Sequence, residues 1–256
     1  LAPPERPVHA YQRFEHPAPN ELWQLDFMGQ PDLPRGKVHP LTLLDDHSRF
    51  ALAVVACPHQ RGELVQAHLS AAFRRYGLPR RILTDNGAPW GSAGAGGLTA
   101  LEAWLLRLGI EVRHGRPHHP QTQGKLERLH RTLWAEVVGI RELPDLATAQ
   151  ARFEAWRTVY NCQRPHQALD HAVPASRYQP SARPFPEPLP PLIYGPDDVV
   201  RQVYDPGRIS FQGREYVLGH GLIGQPVALR PTGEAGGWAV WYCQRQVATL
   251  DLTDHS

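Results

Sequence analysis

Little in this sequence suits an exported scaffold or a membrane protein. Three cysteines in 256 residues, Cys57, Cys162 and Cys243, lie far apart and form no C-x-x-C pair. That spacing excludes a zinc ribbon, and the odd count excludes a disulfide framework, so the expected setting is a reducing compartment. No apolar run approaches the roughly 20 residues of a membrane span, and no signal peptide is visible, so no membrane partner is expected. Lysine is almost missing. Only Lys37 and Lys125 occur, and nearly all other fixed positive charge is arginine, the better fork for phosphate, although a GC-rich genome would give the same ratio. Strong net charge is also missing. At +2 it cannot identify a nucleic-acid partner, so that case must rest on local clustering. The first residue is Leu1 rather than methionine, from which we expect a fragment lacking its N-terminal region.

What is plentiful is proline, 26 residues unevenly spread. Residues 1–18 are polar and proline-dotted and are expected to form an extended arm. Between 22 and 28 the chain alternates, with Trp23, Leu25 and Phe27 on one face and Gln24, Asp26 and Met28 on the other, which predicts a strand. Further strands are predicted over 38–44 and 50–56, joined by short turns as an antiparallel meander. A helix over 63–76 capped by Gly77, a strand over 81–85, a helix over 99–108 and a strand over 110–113 follow. Next comes a helix with Thr122 as its N-cap and Leu126, Leu129, Leu133 and Val137 as its buried stripe, then another over 146–160. The order βββαβαβα predicts an α/β domain over 19–173, a mixed five-stranded sheet flanked by helices. The proline-dense stretch 174–197 reads as a semi-rigid polyproline linker, and short strands over 198–256 predict a small β-barrel as a separate domain.

Three acids stand out in this frame. Asp26 lies in the first strand, Asp85 ends the strand before Asn86-Gly87, and Glu127 is one position off a helical stripe, about 100° around. Phosphodiester chemistry is slow because an anionic phosphate repels its nucleophile, and a pair of divalent cations removes that repulsion. Mg²⁺ takes one or two carboxylates per ion, so three acids serve two ions if one bridges; central Asp26 suits the bridge. No one of these acids is specific alone. Asp-Asn-Gly is a common turn, Glu127 among bases reads as a salt bridge, and Asp45 and Asp46 also end a strand, where a turn and cap before Ser48 is the plainer reading. His114, His118 and His119 resemble a metal cluster, but a two-metal phosphoryl site uses oxygen ligands.

The motifs Pro19-Asn-Glu-Leu-Trp-Gln-Leu-Asp-Phe27, Asp45-Asp-His-Ser-Arg49, Leu83-Thr-Asp-Asn-Gly87, Gly115-Arg-Pro-His-His-Pro-Gln-Thr-Gln-Gly-Lys-Leu-Glu-Arg128 and Tyr160-Asn-Cys-Gln-Arg-Pro-His-Gln-Ala-Leu169 occur in that order. Together with Ile209-Ser-Phe-Gln-Gly-Arg-Glu-Tyr216, they resemble the DDE transposases and integrases of the ribonuclease-H-like fold, in particular the IS481-type insertion-sequence transposases. The resemblance implies that Asp26, Asp85 and Glu127 are the catalytic, metal-ligating residues for two Mg²⁺ or Mn²⁺ ions per site. It implies hydrolysis at transposon ends followed by transfer of the 3′-OH into target DNA, a homo-multimer on DNA, no small-molecule cofactor, and a bacterial, cytoplasmic, nucleoid-associated setting. Arg113, Arg116, Lys125, Arg128, Arg131, Arg164, Arg208 and Arg214 are the expected DNA contacts, the last two in a DNA-binding barrel. Two departures stand against the pattern. Asp85 and Glu127 are 42 positions apart, a long interval that glycine-rich 91–97 must absorb, and no helix-turn-helix precedes residue 20. The rival expectations are a nuclease of the same fold without strand transfer, and a catalytically silent DNA-binding descendant.

Overall fold

The computed structural model describes residues 15–34, 36–91, 97–115 and 124–253. The alternation around Asp26 gives strand β1 (Trp23–Phe27), with Trp23 and Leu25 fully buried. A two-residue hairpin, β2 (Asp32–Leu33) and β3 (Gly36–Lys37), fills the predicted turn before β4 (His39–Asp45) and β5 (Ala51–Cys57). Helix α1 (Gly62–Tyr76) leads to β6 (Arg81–Thr84), and helix α2 (Ala100–Arg107) to β7 (Glu111–His114). These strands form one sheet in the order β5-β4-β1-β6-β7, antiparallel at β5-β4-β1 and parallel at β1-β6-β7, the mixed five-stranded arrangement expected from the pattern.

Both faces of the sheet are covered, which is why its strands carry apolar residues on both sides. On one face Trp23, Leu25, Leu41 and Ile82 meet Val65, Leu69 and Phe73 of α1 and Leu101 and Leu105 of α2. On the other, Leu44, Ala51 and Val54 meet helix α3 (Gly124–Leu133) and helix α4 (Leu146–Cys162) through Leu126, Leu129, Leu133, Phe153 and Trp156. Burying each large apolar side chain contributes about 1.5–3 kcal/mol. Helix α3 continues as a π-helical turn, Trp134–Val138, that keeps Val137 in the same stripe. Helix α4 is held polar-side as well. Asn161 accepts from Ala51 N at 2.8 Å and donates to Ala51 O at 3.0 Å, so one amide stands in for a missing strand partner of β5.

The proline-dense stretch lies against the core. After the short helix α5 (Pro174–Arg177), Tyr178 stacks on Phe50, Ser181 N donates to Tyr76 O, and Arg183 donates to Pro79 O, Leu108 O and Gly109 O. Phe185 packs on Phe73 and Trp104. Gly77, at φ 75°, is where this strap crosses the end of α1; a Cβ there would lie 2.7 Å from Ser181 O.

The C-terminal region corrects the barrel expectation. Strands β8 (Val199–Gln202), β11 (Pro226–Pro231), β12 (Gly237–Tyr242) and β13 (Arg245–Asp251) form a four-stranded antiparallel sheet in the order β13-β12-β11-β8. Strands β9 (Arg208–Phe211) and β10 (Arg214–Val217) form a separate hairpin, and Arg208 at the start of β9 makes one isolated antiparallel bridge to Tyr204. Among the described residues no ladder closes the sheet on itself. The hairpin joins it through apolar side chains instead, with Ile209 and Phe211 packing among Val227, Leu229 and Val240.

Candidate active site at the strand ends

Strand register brings the first two acids together. Strands β1 and β6 run parallel with Gln24 level with Leu83, so two residues further on the chain reaches Asp26 on one and Asp85 on the other. The third acid is delivered by α3, whose buried Leu126 and Leu129 fix the rotation that leaves Glu127 exposed beside the stripe. Burial first, then the nearby Asp85 carboxylate and, more weakly, that of Glu127, push the Asp26 carboxyl up to about 7, against the opposing Phe27 N–H. Both neighbouring carboxylates therefore act on Asp26. Among the described residues no lysine, arginine or histidine forms an ion pair with any of them.

Short local contacts hold each aspartate. Asp26 Oδ1 accepts from Phe27 N at 2.7 Å, and Asp85 Oδ1 from Gly87 N at 3.0 Å. A side chain at Gly87 would press on Asp85, with its Cβ 3.3 Å from Oδ2. Asn86 Nδ2 ties the turn to Gly115 O, and Trp90 stacks on Phe27 with ring centroids 5.6 Å apart. Behind Asp26, Thr42 Oγ1 donates to its carbonyl oxygen at 3.1 Å and meets His130 Nε2 at 2.7 Å. Burial lowers His130 to about 4, so its ring is neutral near pH 7. As placed, no group of three His, Cys, Asp or Glu side chains among the described residues converges on a metal-sized centre. The chemistry of the three acids still suits a divalent cation, because all of them offer hard carboxylate oxygens.

Asp45 and Asp46 do different work. Asp45 accepts from Ser48 N, Ser48 Oγ and Asn20 N, the turn-and-cap role expected of it. Asp46 is 1% exposed and gathers Lys125 Nζ at 2.6 Å, Gln24 Nε2 at 2.8 Å and both His16 N and Nδ1 at 3.0 Å. Burial acts to raise its carboxyl, but the Lys125 ammonium outweighs that and holds it below the usual range.

This engages Lys125, one of the expected phosphate contacts, inside the protein. Arg113 pairs with Glu111, Arg164 with Glu136 and Arg208 with Glu215, while Arg214 donates to Leu252 O. Arg128 and Arg131 are exposed on α3 beside Glu127. Arg116, His118, His119, the Thr122 cap and most of the glycine-rich stretch lie outside the described residues, as does most of the N-terminal arm. Sequence reading missed Thr42, His130, Glu102 and the role of His114. Only Thr99-Ala-Leu-Glu102 had a legible signal, the capping-box pattern, and Thr99 and Glu102 do form that box at the start of α2.

The mixed sheet order β5-β4-β1-β6-β7 is the one expected of an integrase core, and the family comparisons agree. Residues 16–120 and 108–174 match two models described as integrase core domain. Residues 198–256 match the IS481 family transposase, C-terminal domain, so the chain is an integrase core joined to the C-terminal domain of IS481 family transposases. It is 30% identical over 158 residues to the insertion element IS407 uncharacterized 31.7 kDa protein of Burkholderia multivorans, covering 62% of this chain and 55% of that one. It is 28% identical over 172 residues to the insertion element IS476 uncharacterized 39.2 kDa protein of Xanthomonas euvesicatoria, covering 67% and 48%. The chain thus spans about half the length of these relatives. A chain of the simian T-cell lymphotropic virus intasome, solved in complex with PP2A regulatory subunit B56 gamma, shares the fold. Its TM-score is 0.54 at 17% identity, over 92% of this chain and 81% of that one. Among the described residues no helix is long and apolar enough to cross a membrane.

Proposed function

We propose that this chain is the catalytic region of a DDE transposase, which hydrolyses phosphodiester bonds at transposon ends and transfers the freed 3′-OH into target DNA. The observation that carries the reading is that Asp26 lies near enough to Asp85 and Glu127 for both carboxylates to raise its proton affinity, with no ion pair to any of the three among the described residues. Asp26, central between the other two, would bridge two Mg²⁺ or Mn²⁺ ions, with Asp85 and Glu127 each holding one. When bound, such cations activate the attacking oxygen and neutralise charge on the scissile phosphate. The chain's own part is to fix the carboxylates on two strand ends and one helix, and to steer DNA to them. Arg128 and Arg131, exposed one and four positions from Glu127, are placed to meet backbone phosphates. Arg116 is assigned the same role from the motif. Arg113, Arg164, Arg208 and Arg214 would reach DNA only by exchanging their present partners, and Lys125 serves Asp46 instead. Multimerisation on two DNA ends belongs to the same reading.

The test uses the full chain with Mg²⁺, a duplex carrying the inverted repeats that flank the gene, and a supercoiled plasmid target. Asp85→Asn should abolish cutting and joining while DNA binding persists. Unchanged cutting by that variant would sink the proposal, and nicked products without joined ones would favour the plain nuclease.

A further inference from the structure

His114 is engaged on both sides, by the main chain of Asp85 and by the side chain of Glu102. Its Nδ1 lies 2.9 Å from the main-chain oxygen of Asp85, and its Nε2 lies 2.9 Å from Glu102 Oε1, so both ring nitrogens point at acceptor oxygens. Thr84 Oγ1 reaches the same Asp85 oxygen at 3.1 Å and the ring at 3.2 Å. Glu102 is only 5% exposed, and its other oxygen accepts from Thr99 N at 2.7 Å while Thr99 Oγ1 accepts from Glu102 N. The network thus runs from the first turn of α2, through a buried carboxylate and an imidazole on edge strand β7, to Asp85, the residue that follows β6. A comparable pair stands behind the other strand-end acid, where Thr42 Oγ1 binds Asp26 O and meets His130.

The geometry points to His114 as a positioning residue: held by Glu102, it anchors the Asp85 backbone so that the carboxylate stays aimed beside Asp26. This inference rests on the transposase reading of the three acids. Parallel strands β6 and β7 end at Thr84 and His114, where Gly115 N donates to Thr84 O at 2.9 Å. Asp85 is the first residue past that point, and its carbonyl oxygen is held by two side chains, His114 and Thr84. A hydrogen bond to the backbone of a ligand residue constrains the direction of its carboxylate, and loss of such support characteristically weakens metal binding or activity by about 10- to 100-fold. Helix α2 gives the support a rigid base, because its own N-terminus is closed by the same Glu102.

Two substitutions separate the two bonds of the ring. His114→Asn places an amide nitrogen where Nδ1 was and keeps the donor to Asp85 O while losing Glu102. His114→Gln reaches Glu102 and leaves Asp85 O without that donor. With the full chain, Mg²⁺ affinity is read from the rise in melting temperature with added MgCl₂, DNA affinity from binding in EDTA, and turnover from single-turnover cutting. We expect His114→Gln to weaken Mg²⁺ binding and slow cutting about 10-fold with DNA affinity unchanged, and His114→Asn to stay within about threefold. Equal loss in both variants, or no loss in His114→Gln, overturns the assignment. Should His114→Gln fail to fold, Thr84→Val removes the other bond to the same oxygen, and unchanged Mg²⁺ affinity there overturns it too. Asp85→Asn is run alongside. If it keeps Mg²⁺ binding, the reading of the acids fails; if it loses Mg²⁺ binding while His114→Gln is normal, only the positioning role fails.

Discussion

Replacing Asp26 by asparagine should stabilise the metal-free protein at neutral pH. Burial and the carboxylates of Asp85 and Glu127 push the Asp26 carboxyl from 3.8 up to about 7. An unfolded chain therefore releases this proton near pH 3.8, while the folded chain keeps it until about pH 7. Between those values the folded state binds more protons, so its stability falls as pH rises, and the loss is complete above about pH 7. The interval from 3.8 to about 7 amounts to a ceiling of about 4 kcal/mol, at about 1.36 kcal/mol per pH unit. Partial exposure of the side chain to water brings the real figure below that ceiling. Asparagine has nearly the shape of the protonated acid and does not titrate. In EDTA, thermal melts of the two proteins should nearly coincide at pH 4.5 and separate by pH 8, with Asp26→Asn higher by up to roughly 8–16 °C for a chain of this size. Added Mg²⁺ at pH 8 should raise the melting temperature of the native protein and close the gap. An Asp26→Asn protein that melts below the native one at pH 8 in EDTA, or that keeps the full pH slope, would refute the idea that the acids repel one another without compensation.

Three other outcomes follow from contacts away from the acids. Lys125→Met leaves Asp46 charged, buried and short of its main cation, so urea unfolding at pH 7 should show a loss of about 3–5 kcal/mol. Because the folded Asp46 carboxyl is held below its ordinary value, its contribution is present above about pH 4 and disappears as pH falls through the folded value. Asn161→Ala removes both hydrogen bonds to Ala51 and should cost about 1–3 kcal/mol by the same assay; a neutral effect would mean that water replaces the amide. Gly221 lies so close to the segment before α2 that a Cβ would sit 2.0 Å from Leu98 O, backbone against backbone. Gly221→Ala should therefore loosen the C-terminal region from α2, seen as faster limited proteolysis between the two, and an unchanged cleavage rate would show that the contact yields without cost.

Local rules carried a good part of this protein. Alternation around Trp23, the stripe Leu126, Leu129 and Leu133, and the βββαβαβα order were enough to expect the five-stranded mixed sheet, because each reflects a one-dimensional period that burial imposes on neighbours in sequence. The same rules misjudged what depends on closure. Six short strands read as a barrel, but whether a sheet closes depends on which edges meet, and here the β9–β10 hairpin stays outside the four-stranded sheet and packs on it through apolar side chains. Proline density predicted a semi-rigid linker but not its course against the core, since Ser181, Arg183 and Phe185 find their partners some hundred positions away, on α1, α2 and the turns after them.

The candidate site divides the same way. The sequence by itself determined the candidates for the chemistry: carboxylates at strand ends, and motifs whose resemblance pointed to Asp26, Asp85 and Glu127. Only the tertiary structure decided their electrostatic state and their supports. Parallel register sets Asp26 beside Asp85, and burial plus that neighbour raises its proton affinity. The fold also turned Lys125 inward to Asp46 and brought His114 between Glu102 and the Asp85 carbonyl. Charge interactions and hydrogen bonds act through space over a few ångströms, and residues separated by 12, 59 or 79 positions become neighbours only when the chain folds.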